Sequence, residues 1–312
     1  MGDFLSKSSR SFEKFSPTNK NIYHPFLGEF PLLQNNETGE TIIQKKIDIN
    51  QLGGNKSILR THLFLSHPNI IKFEGYEKQA KDNEYSIFFE SFDCTFKQEI
   101  QRRASTNTRF TEKELIAFLR SISSALAYLQ GNRLIHGQIR TETIVRSNSQ
   151  YKILNLNIFG NYKSTYQQAL EEMRKTQIRL LSPQLQEALF NKIVDPVHEG
   201  YKDDVYALGV VVLDAMTLSV ETGIPVAEKL ARATQIYSKG LISLINKMLE
   251  NIMSLRLDCI ACNTIIENMY VQKDVIPHGL YTSRISQRES FISYKNADPE
   301  RVKFYLFFCL TY

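Results

Sequence analysis

Between residues 204 and 217 the chain runs DVYALGVVVLDAMT, apolar almost all the way round a helical wheel. A helix without a polar face has to be surrounded by other elements, so this run predicts the centre of a large helical body. A lipid bilayer is the other place for such a helix, but a span takes about 18–20 uninterrupted apolar residues. The longest apolar run, Ala207 to Met216, is shorter and is broken by Asp214, so no transmembrane segment is expected. Helices to surround the central one are legible nearby. Thr111 can cap a helix with Glu114 in the capping-box position. Beyond it Leu115, Phe118, Leu119, Ile122, Leu126 and Leu129 recur at three- and four-residue steps and mark one buried face. Further amphipathic helices are expected over 241–250 and 258–269.

The earlier part of the chain has a different texture. TIIQKKI at 41–47 and YSIFFE at 85–90 are short β-branched or aromatic runs bounded by polar turns, which predicts strands. A helical stretch over 57–66 lies between them and stops at His67-Pro68-Asn69. A length of 312 residues suits two lobes. The expected fold class is α+β, with a small β-rich lobe over 25–92 and a larger helical lobe over 93–272. Residues 1–24, rich in Ser, Lys, Asn and Phe without a period, read as a tail with no core of its own. Residues 273–312 read as a C-terminal extension. Its apolar end, FYLFFCL at 304–310, has to be covered, either by packing back or by docking into a partner.

Composition removes several function classes. Hydrophobic residues at 42% and charged residues at 23% exclude wholesale disorder. The four cysteines are too few for a disulfide scaffold and point to a reducing, intracellular compartment. Cys259 and Cys262 form a lone CxxC in a helical pattern, where they read as core rather than as a zinc site. Thirty-eight basic against 33 acidic residues give +5, which excludes a dominant nucleic-acid footprint. The local cluster of Lys97, Arg102, Arg103 and Arg109 reads as a solvated face. The start, MGDFLS, fits a myristoylation pattern through Gly2 and Ser6, but Asp3 sets a charge beside the acceptor, so an ordinary N-terminus is expected.

Six landmarks in order carry a resemblance to a known family: Lys45 in TIIQKKI, HPNII at 67–71, LIHGQIRTETIV at 134–145, YKILNLN at 151–157, LLSPQL at 180–185 and DDVYALGVVVLDAMT at 203–217. Together they resemble the protein kinase fold over residues 25–272. The resemblance implies a bilobal structure. It places Lys45 as the β3 lysine, His136 at the head of the catalytic loop, Asn155 at the DFG aspartate and Asp204 as the helix-F aspartate that holds the loop. It also implies that His136 and Leu156 stack into the spine joining the lobes, and that Arg256 pairs with the APE motif.

The chemistry such a fold needs is largely missing. Phosphoryl transfer depends on positioning and charge, supplied by a glycine loop, a lysine–glutamate pair, a carboxylate base and metal ligands. The segment matching the glycine loop, LGEFPLL at 27–33, has one glycine, an acid at Glu29 and Pro31, which has no N–H to donate. The C-helix glutamate position is Ile58. Gln138 replaces the base, and an amide takes no proton at neutral pH. Thr143 replaces the metal-binding asparagine, and Asn155 the main magnesium ligand, where an anionic oxygen is preferred. Arg140 keeps the charge of a family lysine. Ile43 stands where the family has a small residue against adenine, so its carbons are expected to take up nucleotide space.

The resulting reading is a degenerate, catalytically inactive kinase-like domain, a pseudokinase, acting as a scaffold or interaction module. Its special case is a fixed component of a large intracellular assembly, cytoplasmic or cytoskeletal, with cilia included. Protein partners are expected through the N-terminal tail, the activation-segment equivalent over 155–184 and the C-terminal extension, and no nucleic acid is expected. A short helix is expected over 167–175. No metal or other cofactor is expected; ATP through Lys45 is the one candidate. The rival reading is a divergent Ser/Thr kinase that binds ATP through Lys45 and uses rearranged acids such as Asp203 or Glu142. A third is a nucleotide-binding switch without phosphotransfer.

Overall fold

A computed structural model describes residues 11–25, 27–52, 57–79, 83–154, 163–172, 178–220 and 224–274. Five antiparallel strands form the first sheet, in the order β1-β2-β3-β5-β4. They are β1 (Phe15–His24), β2 (Gly28–Asn35), β3 (Thr41–Asp48), β4 (Phe73–Lys78) and β5 (Glu84–Glu90). Helix α1 (Ser57–Phe64) lies between β3 and β4 in sequence, and the chain passes from it into β4 through HPNII. Beyond β5 the chain turns helical, as the sequence pattern predicts.

The strand region begins ten residues earlier than the sequence suggests. Residues 15–24 are not a tail: they form β1 and pair with β2 from Phe15↔Asn35 to His24↔Gly28, with an irregularity between Pro17 and Asn21. Their polar run hides the pattern, because β1 is an edge strand and most of its side chains face solvent. Phe12, just before it, stacks on Phe88 at 3.9 Å and joins Phe15, Leu33 and Ile42 in a small cluster on one face of the sheet. The other face carries Phe30, Ile43, Ile47, Phe73, Ile87 and Phe89, packed with Leu59 of α1.

The larger lobe is built around α6 (Gly200–Thr217), in which every residue from Asp204 to Met216 is buried. Around it stand α3 (Glu112–Gly131), α7 (Val226–Thr234), α8 (Lys239–Met248) and α9 (Cys259–Asp274). Thr111 and Glu114 form the capping box at the head of α3: the Glu114 N–H donates to Thr111 Oγ1 (3.2 Å) and the Thr111 N–H to Glu114 Oε2 (2.7 Å). A three-stranded sheet of β6 (Cys94–Thr95), β7 (Ile144–Ser147) and β8 (Gln150–Ile153) lies at the junction with the first sheet, and α2 (Phe96–Ser105) follows β6. Val145 and Leu154 from this region join the core of the strand lobe.

A separate apolar cluster unites α4 (Thr165–Glu172) and α5 (Pro183–Phe190) through Tyr166, Ala169, Leu185 and Leu189. The helix expected over 167–175 thus starts two residues early, and 173–177 lie outside the described residues. Cys259 and Cys262 are buried core positions. The expected basic face is broken up by acids. Arg103 pairs with Glu99 and Glu114 and covers the Phe110 ring, and Lys97 pairs with Glu142. No described helix is long and apolar enough to cross a membrane. By compactness the chain divides after residue 270; beyond it only the end of α9 is described, and the expectations for Gly2 and the C-terminal extension lie outside the described residues.

Candidate functional site

The family-matching positions gather where the two lobes meet: Lys45 on β3 contacts Leu27, His24 at the end of β1 contacts Phe92 and Glu142, and the loop over 136–143 lies on the side of the helical lobe. That loop is held from below. The carboxylate of Asp204, at the start of α6, accepts the N–H of His136 (2.9 Å) and of Gly137 (2.8 Å). Gly137 has φ +67°, a conformation that disfavours any side chain. Burial pushes the Asp204 carboxyl up to about 7, and the two N–H donors work against that rise. His136 is buried in one tautomer: its Nε2–H donates to the Leu154 carbonyl (3.3 Å), and its Nδ1 accepts the Gln138 N–H (3.3 Å). Burial holds its pKa down at about 4.

The polar side chains of this loop turn inward. Gln138 is 2% exposed, and its amide donates to the Lys163 carbonyl, while its Oε1 has no hydrogen-bond partner among the described residues. The Thr143 hydroxyl donates toward the Gln138 carbonyl (2.7 Å) and accepts the Arg140 N–H (3.2 Å), closing the loop on itself. The Arg140 guanidinium donates to Gln168 Oε1 (2.9 Å) on α4. Thr165, the first residue of α4, donates its N–H to the Gly137 carbonyl (2.9 Å). Helix α4 is therefore seated on the loop.

On the strand side, the Lys45 ammonium donates to the Leu27 carbonyl (2.9 Å) and stands 5.3 Å from the centre of the Phe30 ring. Burial lowers its pKa. Leu27 belongs to the tight connection between β1 and β2, which ends at Gly28 with φ +78°. Residues 28–33, within the segment that matches the glycine loop, form the first part of strand β2, with Glu29 opposite Tyr23 and Pro31 opposite Asn21. At the other end of the turn, the His24 ring is fully buried. Its Nε2–H donates to the Glu142 carbonyl (2.9 Å), its Nδ1 accepts the Leu27 N–H (3.3 Å), and its edge meets Phe92 in the joining segment.

Residues 28–271 match the family model of the protein kinase domain. The chain belongs to the protein kinase domain family. Over 135 residues, 42% of the chain, it is 25% identical to cyclin-dependent kinase F-3 of Oryza sativa subsp. japonica, covering 30% of that protein. Over 240 residues, 68% of the chain, it is 25% identical to the mitogen-activated protein kinase kinase kinase MCK1 of Pyricularia oryzae, covering 14% of that protein. The chain thus spans less than a third of the length of these curated relatives.

Against a kinase's needs, the described groups do not fit a magnesium triphosphate as they stand. The lysine that would meet phosphate holds a backbone carbonyl of the same chain, and the base position holds an amide bonded to the activation segment. Asn155 and Leu156 lie outside the described residues. Among rearranged acids, Glu142 is bound by Lys97 (3.0 Å) and by the Thr141 hydroxyl (3.0 Å). Burial works to raise its pKa, but Lys97 and Arg140 hold it below the ordinary value. Asp203 sits at the base of the helical lobe, taken by His198 (2.7 Å) and Arg256 (3.4 Å). In the APE-like motif the glutamate position is Gln184, whose Oε1 accepts from the Arg256 guanidinium at 2.8 Å, so a charge-assisted hydrogen bond to an uncharged amide stands where the family has an ion pair. A second anchor joins the activation segment to the core. Asp214 on α6 receives Arg179 through both oxygens (2.8 and 2.7 Å) and Lys229 of α7 (2.6 Å).

His24 is the site residue that sequence reasoning misses. Its sequence signal is slight: a histidine directly before a proline, ahead of the first landmark, in a polar stretch.

Proposed function

We infer that this kinase-domain protein is catalytically silent and serves as a scaffold or interaction module for protein partners. What carries the reading is the inward turn of the catalytic loop. Gln138 and Thr143, in the positions of base and metal ligand, are committed to backbone of the same chain, with α4 seated over them. Residues engaged in this way hold shape rather than a reacting phosphate. A fixed place in a larger intracellular assembly is the form of scaffold that such a self-contained loop suits.

The rival, a divergent Ser/Thr kinase, draws on the printed names of the relatives, which are kinases. A phosphotransfer assay on the full chain, with γ-labelled ATP, Mg²⁺ or Mn²⁺ and a basic protein acceptor, separates the two. Incorporation no higher than that of Lys45→Met is the expected result. Incorporation above it, abolished in Lys45→Met, would establish the rival.

A further inference from the structure

Helix α8 buries Leu241, Leu244, Ile245 and Met248 in the helical core and turns a polar face outward. Lys239, Ser243, Asn246 and Lys247 recur on that face at three- and four-residue steps, and all four are exposed. The face lines an open groove of about 360 Å³, floored by the buried Tyr237 and Ile242 and flanked by Thr234 and Glu250. Most polar groups of the groove are already engaged. The Tyr237 hydroxyl donates to the Phe110 carbonyl (2.9 Å), the Thr234 hydroxyl to the Leu230 carbonyl (2.8 Å) and the Asn246 amide to the Ile242 carbonyl (3.0 Å). Glu250 accepts the Ile252 N–H (3.1 Å). The two ammonium groups are different. Elsewhere in the helical lobe Lys97, Arg103, Arg120, Lys202 and Lys229 are each tied to a carboxylate, but Lys239 and Lys247 have no ion pair or hydrogen bond among the described residues. Their places on the helix set them about 12 Å apart along its axis.

We propose that this groove is a docking site for an extended acidic segment of a protein partner, in which two carboxylates flank one apolar side chain. Charge complementarity sets the sign: both unpaired charges are positive, and the one carboxylate of the lining, Glu250, is turned to the Ile252 N–H. Spacing sets the form. An extended chain rises about 3.3 Å per residue, so its residues i and i+4 lie about 13 Å apart and share a face with i+2. Such a segment brings one carboxylate to each lysine and lays its middle side chain on Tyr237 and Ile242. A nucleic-acid strand needs a run of cations for its phosphates, and two lysines about an apolar floor do not supply one. The proposal rests on the interaction-module part of the proposed function and adds a surface to those expected from sequence. It is independent of phosphotransfer, so its failure leaves the labelled-ATP result unchanged.

The test is fluorescence anisotropy of a fluorescein-labelled peptide with the core Glu-Ser-Leu-Ser-Glu, titrated with the full chain at low salt. One control peptide carries Gln for both acids, and another carries Ser for Leu. Lys239→Glu/Lys247→Glu reverses the groove, and Lys239→Gln/Lys247→Gln repeats the test without reversal. Lys20→Glu/Lys46→Glu makes the same charge change at exposed strand positions. Wild type and the strand variant are expected to bind the acidic peptide saturably, at least about five-fold more tightly than either control peptide. Both groove variants are expected to fall to the level of the controls. Absence of saturable binding by wild type would overturn the proposal, as would binding that survives in both groove variants. Equal binding of the peptide lacking Leu, or equal loss in the strand variant, would mean a general anion surface and would overturn it too. Size-exclusion chromatography of the same proteins covers the other occupant: a wild-type dimer that the groove variants dissociate would place a second copy there instead of a partner.

Discussion

His24 and His136 share one chemical arrangement: each is buried, donates from Nε2 to a carbonyl and accepts a backbone N–H at Nδ1. Protonating Nδ1 would set a cation's N–H against the N–H it now accepts, which agrees with burial holding both rings down at about 4. A histidine lowered in the folded state stabilises it above the unfolded value near 6.5, and that stability is lost as pH falls toward 4. Facing His24 are Glu142, whose charge favours its protonation, and Lys45 and Arg140, which oppose it. The stability gap between wild type and His24→Gln, measured by urea titration, is therefore expected to shrink between pH 6.5 and 4. A gap that stays constant or widens would contradict the neutral tautomer. Asp204 makes a second prediction at this scale. Asp204→Ala leaves two buried N–H groups without partners, at about 1–3 kcal/mol each, so a loss of about 3 kcal/mol is expected in the same titration. The bonds of His24 to Glu142, His136 to Leu154 and Asp204 to the loop are not readable from spacing, because each joins a side chain to backbone brought close only by the fold.

Elements differ in how far the sequence announces them. Helix α3 is legible at its head, since Thr111 and Glu114 are local to each other, and its cap makes a local prediction. Thr111→Ala should destabilise the chain by about 1 kcal/mol, read from the urea midpoint. Helix α6 is legible as the central one because an all-apolar helix too short, and too interrupted by Asp214, to span a bilayer has to be surrounded by other elements. Strand β1 is not legible: an edge strand exposed along most of its length carries no alternation, and only the ladder to β2 shows what holds it. The anchor of α6 to the activation segment is likewise assembled from residues far apart, at 179, 214 and 229. Asp214→Ala would leave two cations facing each other in the core, for an expected loss of about 3–5 kcal/mol. The double variant Asp214→Leu/Lys229→Met should recover part of it. Equal losses in the single and double variants would show that the pairing contributes nothing.

At the scale of the whole molecule the two lobes share core, since Val145 and Leu154 pack among the residues of the strand lobe. Near- and far-UV circular dichroism are therefore expected to report one coincident thermal transition for the two lobes. Two separated transitions would mean that the lobes fold independently. The lobes are joined covalently near Phe92 and, among the described residues, at several places besides. His24 holds Glu142; β4's approach is stitched to β8 by Ile71 to Ile153 (3.0 Å), Ile153 to Asn69 (2.9 Å) and the Asn69 side chain to Tyr151 (2.9 Å); Lys152 pairs with Glu90 (2.6 Å), and Ser66 and His67 reach Tyr128 and Ser124 on α3. Attachments this widely separated hold one lobe against the other. A partner spanning both lobes would thus meet a preorganised template. Less motion between the lobes would be left to freeze on arrival, and the entropy that a breathing domain gives up on complex formation would already have been lost during folding.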